Sequence, residues 1–369
     1  MSGTTEQAGV RPASSLMWVA LAAAALALLW SVADVWRART ATRATDDPNG
    51  NSIAVLQSGQ PLEAPPGTPL FENVLSVEDA VFHNGIWFVL DILGNRVHRL
   101  ASDGTLLGSF GREGSGPGEF RGPPTAIGLR GDTIVVTEHG VNSYHLYSLE
   151  GAPIEDRLLR LDACLVPQIL DVASASMGLL FLVTCTQADM RVESRVLLER
   201  NDGFIRTVAT RVPAREGPIV VDAFTQPLLS AHPDGFVFGN PKEECLSVYD
   251  TEGDVLESVC HDWLTPITAP RALVNEMDAA LASRLDVDWI LPDRFFPIVA
   301  VFVTRDEQWI YRVLASDDPE SYELVTADAG ERIPSVPRAR YVVAHEESVL
   351  AGWEDIEGTR IAIYPLEDR

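Results

Sequence analysis

The side chains that could do chemistry in this 369-residue chain are carboxylates, histidines and four cysteines. The cysteines have the clearest pattern. Cys245 and Cys260 flank a segment whose midpoint is Glu252-Gly253, so they stand opposite each other in one hairpin. Cys164 and Cys185 likewise bracket two apolar strands joined near Ala175–Met177. This predicts two local disulfides and an oxidising compartment; the alternative is four buried thiols. A two-residue turn at Glu252-Gly253 would place Cys245 and Cys260 at a hydrogen-bonded pair, the wider spacing of an antiparallel ladder. No CxxC pair or His/Cys cluster offers a zinc site.

Among the histidines, His139 beside Glu138 is the one to test for acid–base work. His83, His232 and His345 fall at the same turn position of three segments (HNGIW, HPDGF, HEESV) and read as turn residues. His98, His145 and His261 show no constellation. No GxSxG, HExxH or Cys/His dyad context occurs, nor a DxDxDG calcium loop. Gly111–Gly118 is glycine-rich like a phosphate loop, but no Lys-Ser/Thr follows to open a helix. A wide turn accounts for it better.

The elements that would position these groups are short strands. From His83 to Phe120 the chain reads as three consecutive antiparallel strands: Ile86–Leu90, Arg96–Leu100 and Thr105–Phe110. Asp103-Gly104 turns the last pair, since Asp-Gly tolerates the positive φ of a tight hairpin. Acidic turns recur at Glu150-Gly151, Asp202-Gly203, Glu252-Gly253 and Asp317-Asp318, the first four spaced by about 50 residues. An apolar strand precedes each turn (Ile310–Leu314 before the last), and a second lies upstream (Val299–Val303 there). A period near 50 built from four short strands predicts an all-β, six-bladed β-propeller over 52–369. Its sixth unit is Tyr341–Pro365, and Ser52–Gln57 is expected to close the ring as the outer edge of the last blade. One segment, 263–294, breaks the pattern. Leu273, Met277, Leu281 and Leu285 recur at helical spacing, predicting a short helical insertion.

The formal net charge is −25, and residues 1–44 carry a net +2, so the rest carries about −27. Nucleic acid and anionic membrane surfaces are thereby excluded as its main partners. Residues 1–11 read as a polar tail, and 37–51 as a linker. Pro12–Ala33 contains no charge, which predicts a single-pass transmembrane helix over 12–36. A cleaved signal peptide ending near Ser31-Val32-Ala33 is the competing reading. Counting Arg37, Arg39 and Arg43 would keep the C-terminal flank of an anchor inside, yet a large domain can be translocated regardless of flank charge, and the expected disulfides favour the extracytoplasmic side for the propeller. Lys242 is the single lysine against many arginines, as in a GC-rich bacterial gene.

The run Leu90-Asp91-x-x-x-Asn95-Arg96-Val97, Asp103-Gly104 and Gly111-Arg112-Glu113-Gly114-x-Gly116-Pro117-Gly118-Glu119-Phe120 resembles the NHL-type six-bladed propeller proteins of bacteria. The likeness is strong over 75–150 and fades after it; the second unit keeps Asn142 but has Ser143-Tyr144 where Arg-Val would stand. It implies a fold and no activity, since the family includes scaffolds, ligand binders and a few lyases. In such a fold, loops before the inner strand and after the second strand share one face. That face collects the ligand-binding candidates Asp91, Asn95, Arg96, Arg112, Glu113, Glu138, His139 and Asn142, with both disulfides on its rim. Asp91, Asn95 and Arg96 also read as the residues that hold their own turn. Gluconolactonase-like hydrolases are six-bladed propellers with a central divalent metal, and Glu78 or Asp79 with Asp171 are the residues that would mimic their ligands. The leading expectation is a non-enzymatic interaction module for a protein, peptide or glycan. A metal-dependent hydrolase or lyase is the alternative, and a purely structural module the third reading.

Overall fold

Among the described residues of the computed structural model, 23 strands fall into six antiparallel sheets. The structure describes residues 64–366 apart from 73, 141, 160, 162–163, 177, 188–191, 212–226, 241–242, 244, 262–297, 305, 315–320, 327–331, 334, 346–347 and 356–357. A short strand, β1 (Leu70–Phe71), comes first. Blade one follows as β2 (Val77–His83), β3 (Ile86–Asp91), β4 (Arg96–Ala101) and β5 (Leu106–Phe110). Blade two is β6 (Pro124–Arg130), β7 (Thr133–Glu138), β8 (Ser143–Ser148) and β9 (Pro153–Leu158). Blade three is β10 (Val166–Ala175), β11 (Gly178–Thr186), β12 (Val192–Arg200) and β13 (Ile205–Arg211). Blade four is β14 (Leu228–His232), β15 (Gly235–Gly239), β16 (Cys245–Tyr249) and β17 (Val255–Cys260). Blade five has three strands among the described residues, β18 (Ile298–Val303), β19 (Trp309–Leu314) and β20 (Tyr322–Thr326). Blade six is β21 (Tyr341–His345), β22 (Ser348–Asp355) and β23 (Gly358–Pro365), with β1 as its fourth strand.

The burial pattern explains why the second strand of each blade is the most apolar. Its side chains alternate between the two flanking blades, so both faces need to be hydrophobic. Trp87 and Val89 of β3 pack toward blade six, while Phe88 and Leu90 pack toward blade two. In β11, Leu179, Phe181 and Val183 face blade two, and Leu180 and Leu182 face blade four. Further apolar clusters join blades four and five and blades five and six. With the cluster between blades six and one, the ring is closed by packing as well as by β1.

Four outer hairpins share one turn. In each, the glycine of the acidic-Gly pair has positive φ (Gly104 +85, Gly151 +91, Gly203 +81, Gly253 +95) and a bulge follows in the ladder. The aspartate or glutamate before it keeps negative φ, so this is a three-residue turn and not the two-residue hairpin expected from Asp-Gly. The bulge moves the register by one residue, and this reverses the expectation for Cys245 and Cys260. Their Cα atoms are 3.9 Å apart, the narrow spacing, and a disulfide joins them. A second disulfide joins Cys164 to Cys185. Replacing Cys164 and Cys185 together with serine is expected to cost about 2–4 kcal/mol. The check is a urea midpoint that falls in the variant and, in the parent chain, falls on adding reductant.

Two assignments are corrected. The strand that pairs with β23 is Leu70–Phe71, in register with Arg360 and Thr359; Ser52–Gln57 lies outside the described residues. In blade five, Val299–Val303 belongs to the inner strand and Ile310–Leu314 to the second, one place earlier than the sequence period implies. Asp317-Asp318, in sequence between β19 and β20, lies outside the described residues. The cause is that β18 and β19 are both apolar, so hydrophobicity alone does not order them. Among the described residues there is no helix, and none long and apolar enough to cross a membrane. The anchor expected over 12–36 and the insertion expected over 263–294 lie outside the described residues.

Candidate functional site

The acid that ends the second strand of blades one and two is committed to its own loop. Asp91 is fully buried and accepts the amides of Leu75 (3.0 Å), Ser76 (3.0 Å) and Gly94 (2.8 Å). A Cβ at Gly94 would lie 2.3 Å from Oδ2 of Asp91, so this turn requires glycine. His98 Nε2 is 3.2 Å from the same carboxylate, and its Nδ1 is 2.8 Å from Ser109 Oγ. Glu138 repeats the arrangement. It accepts the amides of Arg121 and Gly122 and the hydroxyl of Ser143, and His145 Nε2 lies 2.9 Å away. His145 Nδ1 meets Asp156 at 2.7 Å. Desolvation pushes both acids up. Hydrogen bonds from the histidine and from loop donors outweigh it and hold both carboxyls below their ordinary range. For His145, desolvation pulls down, but Glu138 and Asp156 outweigh it and raise the imidazole.

These couples correct the expectation that His98 and His145 have no constellation. The signal was present in the spacing. Each histidine stands seven residues after its acid, and Ser109 and Asp156 each stand eighteen after it.

The other loop-face candidates are distributed along the rim. Asn95 takes φ +49 in the turn after β3, and Arg96 is exposed at the start of β4. Arg112 pairs with Glu119 inside the glycine-rich loop, and Glu113 is exposed beside it. That loop is an inter-blade turn. Phe120, wholly buried, plugs the interface of blades one and two, and Tyr147 donates to the Gly118 carbonyl at 2.8 Å. Asn142 donates to the Leu159 carbonyl. His139 is held low, at about 4, by burial, and its Nδ1 faces the Gln168 amide at 3.0 Å. At neutral pH it is an uncharged ring. His83, His232 and His345 each end an inner strand, at one equivalent place in three blades.

The inner strands β2, β6, β10, β14, β18 and β21 line a central channel of about 960 Å³. Four of them carry the same bulge near the start, at Glu78, Thr125, Leu170 and Val299. The residues that follow are Asp79, Ala126, Asp171 and Ala300, so blades one and three bring carboxylates to equivalent places on the wall. Arg312 of β19 stands opposite Ala300. Its guanidinium donates to the Val342 carbonyl at 3.1 Å and lies over the rings of Tyr322 and Tyr341, 5.2 and 5.5 Å from their centres. Desolvation raises the Asp79 carboxyl to about 6, against the pull of the Ile127 and Ala80 amides and of Arg312. Desolvation and then the Asp79 charge push Asp171 well above the carboxylate range. Among the described residues no three His, Cys, Asp or Glu side chains form a metal-holding group, and this includes Glu78, Asp79 and Asp171. Arg312 and Tyr341 were not found from sequence, because neither lies in a recognisable motif.

No family model matches the chain, and no curated protein matches it. Solved structures do resemble it. An exported protein from Bacteroides fragilis is 9% identical, with 83% of this chain and 93% of that one covered and a TM-score of 0.47. A member of the DUF4221 family from Bacteroides vulgatus is 11% identical, with 80% and 95% covered and a TM-score of 0.49. A virginiamycin B lyase from Staphylococcus aureus is 11% identical, with 82% and 88% covered and a TM-score of 0.37. At these identities the likeness is one of fold.

Proposed function

We propose that this chain is a membrane-anchored, extracytoplasmic β-propeller of NHL type that binds a protein, peptide or glycan partner on its loop face. The observation that carries the reading is the exposure there of Leu75 and Leu93 on two loops fixed to each other; exposed apolar side chains also occur elsewhere, Leu106, Ile154, Phe204 and Val255 among them. Leu75 (53% exposed) precedes β2, Leu93 (60%) follows β3, Leu158 (55%) ends β9 and Leu165 (57%) precedes β10. All four positions belong to the face where inner strands begin and second strands end. Leu75 and Leu93 lie on loops joined by the Ile92 amide and the Ser76 carbonyl at 3.1 Å. Apolar groups held out on rigid loops are a contact surface, and they suit a protein or peptide better than a polar sugar. The two disulfides, which stiffen blades three and four, support an oxidising compartment. The apolar segment 12–36 supplies the anchor.

Photo-crosslinking tests this in native membranes. A photoreactive residue at Leu93 or Leu165 is expected to give one discrete adduct. The same residue at Leu106 or Phe204, exposed on the opposite side of the blades, is expected to give none. Equal adducts from both sides, or adducts from neither, would sink the reading.

A further inference from the structure

The outer edge of blade one carries a hydroxyl, an imidazole and a carboxylate in series. Ser109 of β5 is exposed, and its Oγ lies 2.8 Å from Nδ1 of His98. Nε2 of the same ring lies 3.2 Å from Oδ2 of Asp91. His98 is 1% exposed and Asp91 wholly buried, so the series runs from solvent inward. Asp91 accepts the amides of Leu75, Ser76 and Gly94, which hold it as the carboxylate. A carboxylate only accepts, so the ring proton sits on Nε2 and the Nδ1 lone pair turns to the Ser109 hydroxyl. A general base for that hydroxyl requires this tautomer.

The backbone adds a donor. Ala101 donates its amide to the Thr105 carbonyl at 2.8 Å, and the ladder bonds from β4 to β5 alternate from there. His98 and Ser109 are therefore a pair with no backbone bonds between them, and the Ser109 amide points out from the edge strand. There it can donate to the oxygen that gains charge when Oγ attacks. Blade two shows that the fold does not require the hydroxyl, because Asp156 takes the place of Ser109 in the couple of Glu138 and His145.

We propose that Ser109, His98 and Asp91 form a relay that makes Ser109 a nucleophile toward short-chain carboxylic esters. Oγ bonds to the acyl carbon as the ester C–O bond breaks, and its proton passes to Nδ1 of His98 and on to the departing alkoxide. Water attacks the acyl-serine by the same route, releases the acid and restores the hydroxyl. Asp91 is a positioning residue that fixes the ring and its tautomer. Leu107, 47% exposed and two residues away on β5, offers the acyl group a surface contact and no enclosure, which suits a short chain. The site is independent of the loop-face leucines: crosslinking can fail while Ser109 reacts, and the reverse.

The test is reaction of the full-length chain in detergent micelles with a fluorophosphonate probe and with p-nitrophenyl acetate, read by peptide mass spectrometry. The fluorophosphonate loses fluoride as Oγ bonds to phosphorus, so its adduct marks an activated serine. Both reagents are expected to modify Ser109. They should spare Ser102 and Ser115, exposed serines that meet no imidazole among the described residues. Ser109→Ala should remove the adduct, and His98→Gln should slow its formation about a hundredfold or more, the share of a general base. Because His98 is buried, a second comparison leaves it in place. Ser109→Cys should be alkylated by iodoacetamide about tenfold faster than Ser102→Cys, since an adjacent imidazole draws a thiol toward the thiolate. No adduct at Ser109, equal adducts at Ser102 or Ser115, equal alkylation of the two cysteine variants, or undiminished labelling of a folded His98→Gln protein would overturn the proposal.

Discussion

Glu199→Ala is expected to cost about 3–5 kcal/mol, because it strips the shared acceptor from three donors at the interface of blades two and three. Glu199 is 1% exposed. Tyr144, itself 1% exposed, donates its hydroxyl to Oε2, while Arg157 and Arg130 reach Oε1 at 2.7 and 3.1 Å. Arg130 also donates to the Asn201 carbonyl at 3.1 Å, and the cluster ties four strands together, β6, β8, β9 and β12. Alanine would leave a buried hydroxyl without an acceptor and two guanidiniums facing each other. Both arginines retain some access to water, which places the expected value near the lower end of the range. Glu199→Gln keeps one acceptor and should cost less, about 1–2 kcal/mol. Tyr144→Phe removes a donor and its need together, and should cost least of the three. Urea unfolding of the three variants would give that order. A loss below about 1 kcal/mol for the alanine variant would show that water replaces the carboxylate, and the latch would then not be structural.

How much of this was legible in the sequence follows from what each feature depends on. The period of about 50 residues and the four acidic-Gly turns depend on local chemistry, chiefly on a glycine needed at positive φ, and local chemistry is written residue by residue. The two cysteine pairs were found for the same reason: each closes within one or two neighbouring strands. Register was harder. A single bulged residue after each turn moved Cys245 and Cys260 from the wide to the narrow pair, and nothing in the residue types announces a bulge. Blade five was placed one strand late because β18 and β19 are equally apolar, and order then rests on spacing alone. Asp79 and Asp171 were recognised as channel carboxylates, since inner-strand starts are predictable. Their neighbours Arg312 and Tyr341 were not. Arg312 reaches the channel from a second strand, and Tyr341 stacks against it from another blade. The acid–histidine couples lay between these cases. Their spacing repeats in sequence, but only a folded blade puts acid and histidine at adjacent strand ends.

That couple in blade two carries the second large expected effect. Glu138→Ala should cost about 3–5 kcal/mol, because the amides of Arg121 and Gly122 and the Ser143 hydroxyl lose their acceptor and His145 loses its neighbouring charge. Its pH signature separates this from a simple cavity. Glu138 is held below its ordinary 4.5, so its contribution is complete above that value and is lost as pH falls through the folded-state value. His145 is raised above its ordinary 6.5, so its contribution is complete below 6.5 and is lost as pH rises through its folded-state value. The couple is therefore at full strength between about 4.5 and 6.5 and weakens on both sides. In blade one the outer partner of His98 is the neutral Ser109, so Asp156 is the feature that makes blade two the more charged of the pair. Urea unfolding at pH 6 and pH 9 should show the parent chain losing stability at the alkaline end. His145→Gln should start lower at pH 6 and lose less on going to pH 9. Parallel losses in both proteins would mean that the imidazole stays neutral in the folded state, and that Glu138 is held by its loop amides alone.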